Sequence, residues 1–154
     1  MRTKYLIICL ALGLGALLAL LAGLHTAQAA PTVTDRFVKP TGGGDCSQGN
    51  PCALQTALIS ATGGDTIYVA GGTYTGTGST VITITKSITL YGGWDGAGSG
   101  AVVRDPALYP TTLDGEWARR VVYVSGNITP TLDGFIVTRG NATGLLANCP
   151  SNSD

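Results

Sequence analysis

Two aspartates sit in matching surroundings. Asp114 lies in Thr112-Leu113-Asp114-Gly115, and Asp133 lies in Thr131-Leu132-Asp133-Gly134. If these segments are strands stacked one above the other, their carboxylates stand roughly 4.8 Å apart, one strand spacing. Two chemistries are open to carboxyls at that separation. One is retaining glycoside hydrolysis, and the other is a Ca²⁺ shared between oxygen ligands. A plainer role competes with both: Asp-Gly is common turn chemistry, in which the carboxylate caps a strand end. The turn reading is preferred. Glu116, two residues beyond Asp114, extends this to a weak cation site and no further. No metal site and no cofactor is expected. The only histidine, His25, falls in the leader described below. After its removal the chain has no His base and no His metal ligand.

A second group could contact sugars. Trp94, Trp117, Tyr91 and Tyr123 can form a stacking platform, because aromatic faces cover the apolar faces of sugar rings. Inward packing is the competing role. Arg119-Arg120 suits an acidic glycan or, more plainly, a solvated strand start; Arg104-Asp105 reads as a weak local ion pair. The Gly-rich stretch 92–100 has no Lys-Ser/Thr after it, so it reads as a long loop and not as a phosphate loop. Asn127-Ile128-Thr129 and Asn141-Ala142-Thr143 match glycosylation sequons, which matter only in a eukaryotic secretory host.

The elements that position these residues are mostly strands. Short β-branched runs occur at Thr66-Ile67-Tyr68-Val69, Val81-Ile82-Thr83-Ile84, Ile88-Thr89-Leu90-Tyr91, Val121 to Val124 and Phe135 to Thr138. Phe37-Val38-Lys39 is a further short candidate. The Thr-apolar start at Thr66 returns at Thr89, Thr112 and Thr131, in steps of 23, 23 and 19 residues. A strand recurring at that period marks a stacked β architecture. Two or three strands per turn would each pair with their equivalents one turn away. An antiparallel sandwich with regular hairpins would not need the repeated Thr-Leu and Gly pattern.

One helix is predicted. Asn50 is a good N-cap and Pro51 suits the first helical position. Leu54, Ala57, Leu58 and Ala61 form an apolar stripe, and Gly63-Gly64 ends it. So short a helix must pack on something, and the end of a β stack needs cover.

Arg2 and Lys4, the uncharged apolar run from Tyr5 to Leu24 and Ala27-Gln28-Ala29 form a signal peptide cleaved after Ala29. An uncleaved anchor is the alternative, since the run is about 20 residues long. No Cys stands at a lipid-anchor position. Without 1–29 the chain keeps seven basic and nine acidic residues, net −2. That charge excludes a nucleic-acid footprint, and no membrane insertion follows cleavage. In an exported chain Cys46 and Cys52 are expected to pair. Cys149 is then left without a partner.

Asp45-Cys46, Pro51 to Leu58, Gly64-Asp65-Thr66-Ile67-Tyr68-Val69 and Gly72-Thr73-Tyr74, followed by Leu90-Tyr91-Gly92-Gly93-Trp94 and Thr112-Leu113-Asp114-Gly115, resemble the N-terminal part of bacterial extracellular right-handed parallel β-helix surface proteins of the pectin-lyase-like superfamily. The resemblance covers residues 37 to 140. It implies a Cys-bearing segment leading to a capping helix and then a Gly-Asp-Thr-Ile strand. Lyases of that superfamily use Ca²⁺-binding acids with a catalytic Arg, and its hydrolases use clustered Asp with His; neither pattern matches here residue by residue.

The expectation is an all-β chain: a right-handed parallel β-helix of about three to four rungs with a short N-terminal capping helix. Its segments are a signal peptide at 1–29, a Cys46–Cys52 segment at 30–52, a capping helix at 53–63, rungs at 64–140 and a polar tail at 141–154. The tail ends without a visible cap, so the chain is expected to be a truncated fragment. The expected role is structural, adhesive or glycan-contacting at the cell surface, with polysaccharide as partner and no catalysis of its own. The alternative is the front part of a polysaccharide lyase or glycoside hydrolase with catalytic rungs beyond residue 154. Trp94, Trp117, Asp114 and Asp133 are the candidate binding residues.

Overall fold

The computed structural model describes residues 32–143. The leader expected at 1–29, residues 30–31 and the tail from residue 144 on, Cys149 included, lie outside the described residues. Among those described, nine strands and one helix occur: β1 (Asp35–Val38), α1 (Leu54–Ser60), β2 (Thr66–Ala70), β3 (Gly72–Tyr74), β4 (Thr80–Ile84), β5 (Thr89–Trp94), β6 (Thr111–Asp114), β7 (Arg120–Val124), β8 (Thr131–Asp133) and β9 (Phe135–Thr138). The chain is mostly β, and the strands form three sheets ordered β1-β2-β5-β8, β3-β6-β9 and β4-β7. Every paired strand is parallel to its neighbour. The chain therefore visits the three sheets in rotation. The β-branched runs suit this, because Val, Ile and Thr pack well on a pleated surface. None of the described helices is long and apolar enough to cross a membrane.

One apolar cluster joins all three sheets and the helix. Ile67, Val69 and Leu90 come from the first sheet, Tyr74 and Leu113 from the second, and Ile82 and Ile84 from the third. Leu54, Ala57 and Leu58 come from α1. The alternation along β2 explains the division: Ile67 and Val69 are buried while Thr66 and Tyr68 are half-buried. A period of two puts every second side chain on the core face.

The register corrects the repeat read from sequence. Thr66 pairs with Thr89, 23 residues on, but Thr89 pairs with Thr131, 42 residues on. Thr112 belongs to the second sheet, where it pairs with Thr73 and Ile136. The near-constant step through Thr112 is a coincidence of composition. The extra length is an excursion over residues 95–110, closed at its base by a Trp94–Arg104 bridge and by Asp105 N–H to Gly93 carbonyl at 2.7 Å.

The excursion begins at a bulge. The β2–β5 register slips between Val69 and Ala70, so that Ala70 faces Trp94. Gly93 takes φ +84°, and a Cβ there would meet Pro106 N at 2.6 Å. The inserted residue re-aims the strand. Trp94 therefore leaves the main core and packs with Phe37 and Ala70 in a second cluster.

The helix is shorter than predicted, and its start is different. It runs Leu54–Ser60 with Ala53 as N-cap and no side-chain cap. Asn50 is not the cap, because the preceding residues are already engaged elsewhere. Ser47 bridges Asn50, Cys46 is disulfide-bonded to Cys52, and Cys52 exchanges backbone hydrogen bonds with Phe37 and Lys39 at 3.0 and 3.2 Å. That bridge keeps the chain extended through Cys52. Ala61, not a left-handed Gly, ends the helix in an extended conformation. Lys86 Nζ then donates to the carbonyls of Leu58, Ile59 and Ala61 at 3.3, 2.8 and 2.6 Å. A cation at this end complements the helix dipole.

Asp65 of the Gly-Asp-Thr-Ile segment is fully buried. It accepts from Thr34 N–H at 3.0 Å, Thr62 N–H at 2.9 Å, Thr62 Oγ1 at 3.1 Å and Arg36 Nε at 3.0 Å. A buried carboxylate persists when its lone pairs are filled in this way. Burial pushes its pKa up, but the donors from Thr62, Thr34 and Arg36 together outweigh burial and hold it below the ordinary value.

Candidate ligand-contact site

The four candidate binding residues separate in space. Asp114 ends β6 of the second sheet and pairs in register with Thr138, whereas Asp133 ends β8 of the first sheet and pairs with Tyr91. They are not stacked equivalents, so the paired-carboxylate chemistry has no geometric basis here. Asp133 meets Arg104, which also donates to Gly92 carbonyl at 2.7 Å and lies 4.4 Å over the Tyr91 ring. Trp94 is fully buried, 5.0 Å from the Phe37 ring, and cannot offer a face to a sugar from outside.

Trp117 is placed otherwise. It lies in the turn between β6 and β7 with 68% of its surface exposed. Three non-glycine residues at this corner have left-handed backbones: Glu116 (φ +53°), Trp117 (φ +59°) and Arg139 (φ +49°). Each such residue costs on the order of 1–3 kcal/mol and persists only where its surroundings over-determine it. Here the turn at 115–119 is laced to the equivalent turn at 139–143. Trp117 N–H donates to Arg139 carbonyl at 2.8 Å, and Asn141 Nδ2 donates to Trp117 carbonyl at 2.7 Å. Asn141 N–H reaches Arg119 carbonyl at 2.8 Å.

Asp114 anchors the corner. Its Oδ1 accepts from Glu116 N–H and from Arg139 Nε, both at 2.8 Å, and its Oδ2 accepts from Arg139 Nη2. The Arg139 guanidinium, helped by the Glu116 N–H, holds this buried carboxyl below its ordinary pKa against the opposing effect of burial. The Asp-Gly turn chemistry seen in the sequence is present, as the Asp114–Glu116 hydrogen bond. Glu116 itself pairs with Arg119, whose Nε donates to Gly78 carbonyl at 3.0 Å. Guanidinium groups thus occupy the positions at which Asp114 and Glu116 would hold a cation. No group of three or more His, Cys, Asp or Glu placed to hold a metal ion occurs among the described residues.

The corner continues onto the third sheet. Tyr123 is 41% exposed, pairs with Thr83, and has the Arg120 guanidinium 5.5 Å from its ring. Thr80 and Thr83 share a hydroxyl hydrogen bond at 2.9 Å. Of the four platform aromatics, then, Trp117 and Tyr123 face outward, Trp94 is buried and Tyr91 is covered by Arg104. Sequence reasoning missed Arg139. The signal for it was the alignment of Thr111–Asp114 with Phe135–Thr138, which puts residue 139 beside Gly115.

No protein-family model, no curated protein and no solved structure matches the chain.

Proposed function

We propose that this chain belongs to an exported, cell-surface right-handed parallel β-helix protein of the pectin-lyase-like type, and that it contacts an extended glycan without transforming it. The fold part of this reading is supported by the rotation of strands through three parallel sheets. Export is supported by the leader-like N-terminus and by the bonded Cys46–Cys52 pair.

The contact part rests on one observation above others: Trp117 is exposed on a backbone held by hydrogen bonds to Arg139 and Asn141. A ring presented from a backbone already ordered loses only side-chain freedom when a sugar stacks on it. Tyr123, with Arg120 beside its ring, extends the contact along the third sheet. Asp114 and Glu116 are committed to arginines, which favours contact over turnover. The test is binding of refolded residues 30–154 to a glycan array and to insoluble cell-wall polysaccharide. Retention on either, reduced by Trp117→Ala, is the expected result, and no retention on both counts against the proposal.

A further inference from the structure

A recess that Trp117 does not line lies where the turn between β2 and β3 meets the excursion. It has a volume of about 500 Å³, within the range of small-molecule sites. We propose that it binds a single neutral pyranose unit, as a site separate from the Trp117 face.

The wall chemistry carries the choice. Lys39 and Asp95 both line the recess, so it offers one cation and one anion and no net charge. A neutral ligand rich in hydroxyls can use both, whereas a charged ligand is attracted by one and repelled by the other. Thr73 and Thr112 also line it, and they are register partners on adjacent strands. Their separation of about one strand spacing, roughly 4.8 Å, is comparable with that between alternate equatorial hydroxyls of a pyranose. Tyr109 and Leu108 add an apolar side, as sugar rings require. The floor is backbone: Gly72 has φ +139°, and a Cβ there would strike Pro40 Cγ at 2.7 Å. Trp94 lies behind the wall with its indole buried, close enough for its emission to report on what fills the recess.

The inference shares with the proposed function only the source of the sugar, and its test reports on this recess alone. The chain has two tryptophans, so Trp117→Phe leaves Trp94 as the sole indole. That variant is titrated with methyl galactoside, methyl glucoside, methyl mannoside and galacturonate. Trp94 emission and the amide signals of Gly71, Gly72 and Gly96 are followed. A saturable change with at least one neutral glycoside, tighter than with galacturonate, is expected. Thr112→Val and Asp95→Asn should each weaken it about tenfold, as loss of a hydrogen-bonding group in a wall of this kind does. The inference fails if no neutral glycoside moves either signal, if galacturonate binds more tightly, or if both variants bind like the parent. A silent glycan array beside a positive titration would remove the Trp117 reading and leave this one standing.

Discussion

Arg36 Nε donates to the buried Asp65 carboxylate at 3.0 Å, across 29 residues of chain. The pair fastens β1 to the start of β2, and the same arginine reaches Ser60 Oγ and Ser60 carbonyl at 3.0 and 2.9 Å. Helix end, first strand and second strand meet at one carboxylate. Asp65→Ala would leave Arg36 Nε and the backbone N–H groups of Thr34 and Thr62 without this acceptor. Breaking a buried pair in this way costs about 3 kcal/mol, read as a fall in the urea midpoint; an unchanged midpoint would show the cluster to be dispensable.

Acid should act through Asp65 and Asp114. Both carboxyls have folded-state pKa values below the ordinary 3.8. A depressed folded value means that the folded state holds the proton more weakly than the unfolded chain. Their contribution is therefore fully present above about pH 5 and is lost as pH falls through the unfolded and then the folded values. Urea midpoints should be flat from neutral pH to about pH 5 and drop below it. Asp65→Asn should flatten part of that drop, and a mutant curve parallel to the parent's would refute the assignment.

Reducing the Cys46–Cys52 bond, or replacing both residues by Ser, should loosen the N-terminal end. A loop this short adds about 2 kcal/mol by the chain-entropy account. The expected pattern is faster limited proteolysis around Gly43-Gly44 with the rest of the chain resistant. Equal cleavage of oxidised and reduced protein would contradict it.

Lys86→Met keeps the aliphatic stem but removes the donor to three helix carbonyls. The loss should be about 1 kcal/mol. Amide exchange within Leu54–Ser60 should rise more than that in β5 and β6. Uniform acceleration across the molecule would mean that Lys86 does not act on the helix end.

Trp117→Ala removes an exposed ring and should leave the thermal midpoint within a few degrees of the parent. Glycan retention should fall by about tenfold or more, the order found when a central aromatic anchor is truncated. Retention unchanged in Trp117→Ala but lost in Tyr123→Ala would move the contact up the third sheet.

The sequence carried much of this fold because its strands are marked twice, by β-branched residues and by Gly or Thr at their ends. β9 has the bounds read from sequence, and β2, β4, β5 and β7 differ only at their ends. β3 was not read as a strand, since Gly72-Thr73-Tyr74 is three residues long and begins with Gly. The placement of Thr112 went astray for a different reason. Periodicity counts residues, while pairing counts sheets, and the excursion after Trp94 breaks the equality between the two. The helix start was misjudged because a local rule for Asn-Pro competed with a non-local constraint, the bridge of Cys52 to Val38. At the site, exposure divided Trp94 from Trp117, and the burial of Trp94 follows from a bulge that no residue pattern announced. Arg139 is 25 residues from Asp114, beyond the reach of any local motif.

The contact between Arg104 and Asp133 joins the excursion to a further strand of the first sheet. Arg104 already holds the base of the excursion through the Gly92 carbonyl and the Tyr91 ring, and its carboxylate partner stands 29 residues later, on β8. Both side chains are partly exposed, so the pair adds little by itself. The excursion is thus tethered twice, once to its own strand and once to the next, and loosening β8 would release one tether and leave the other.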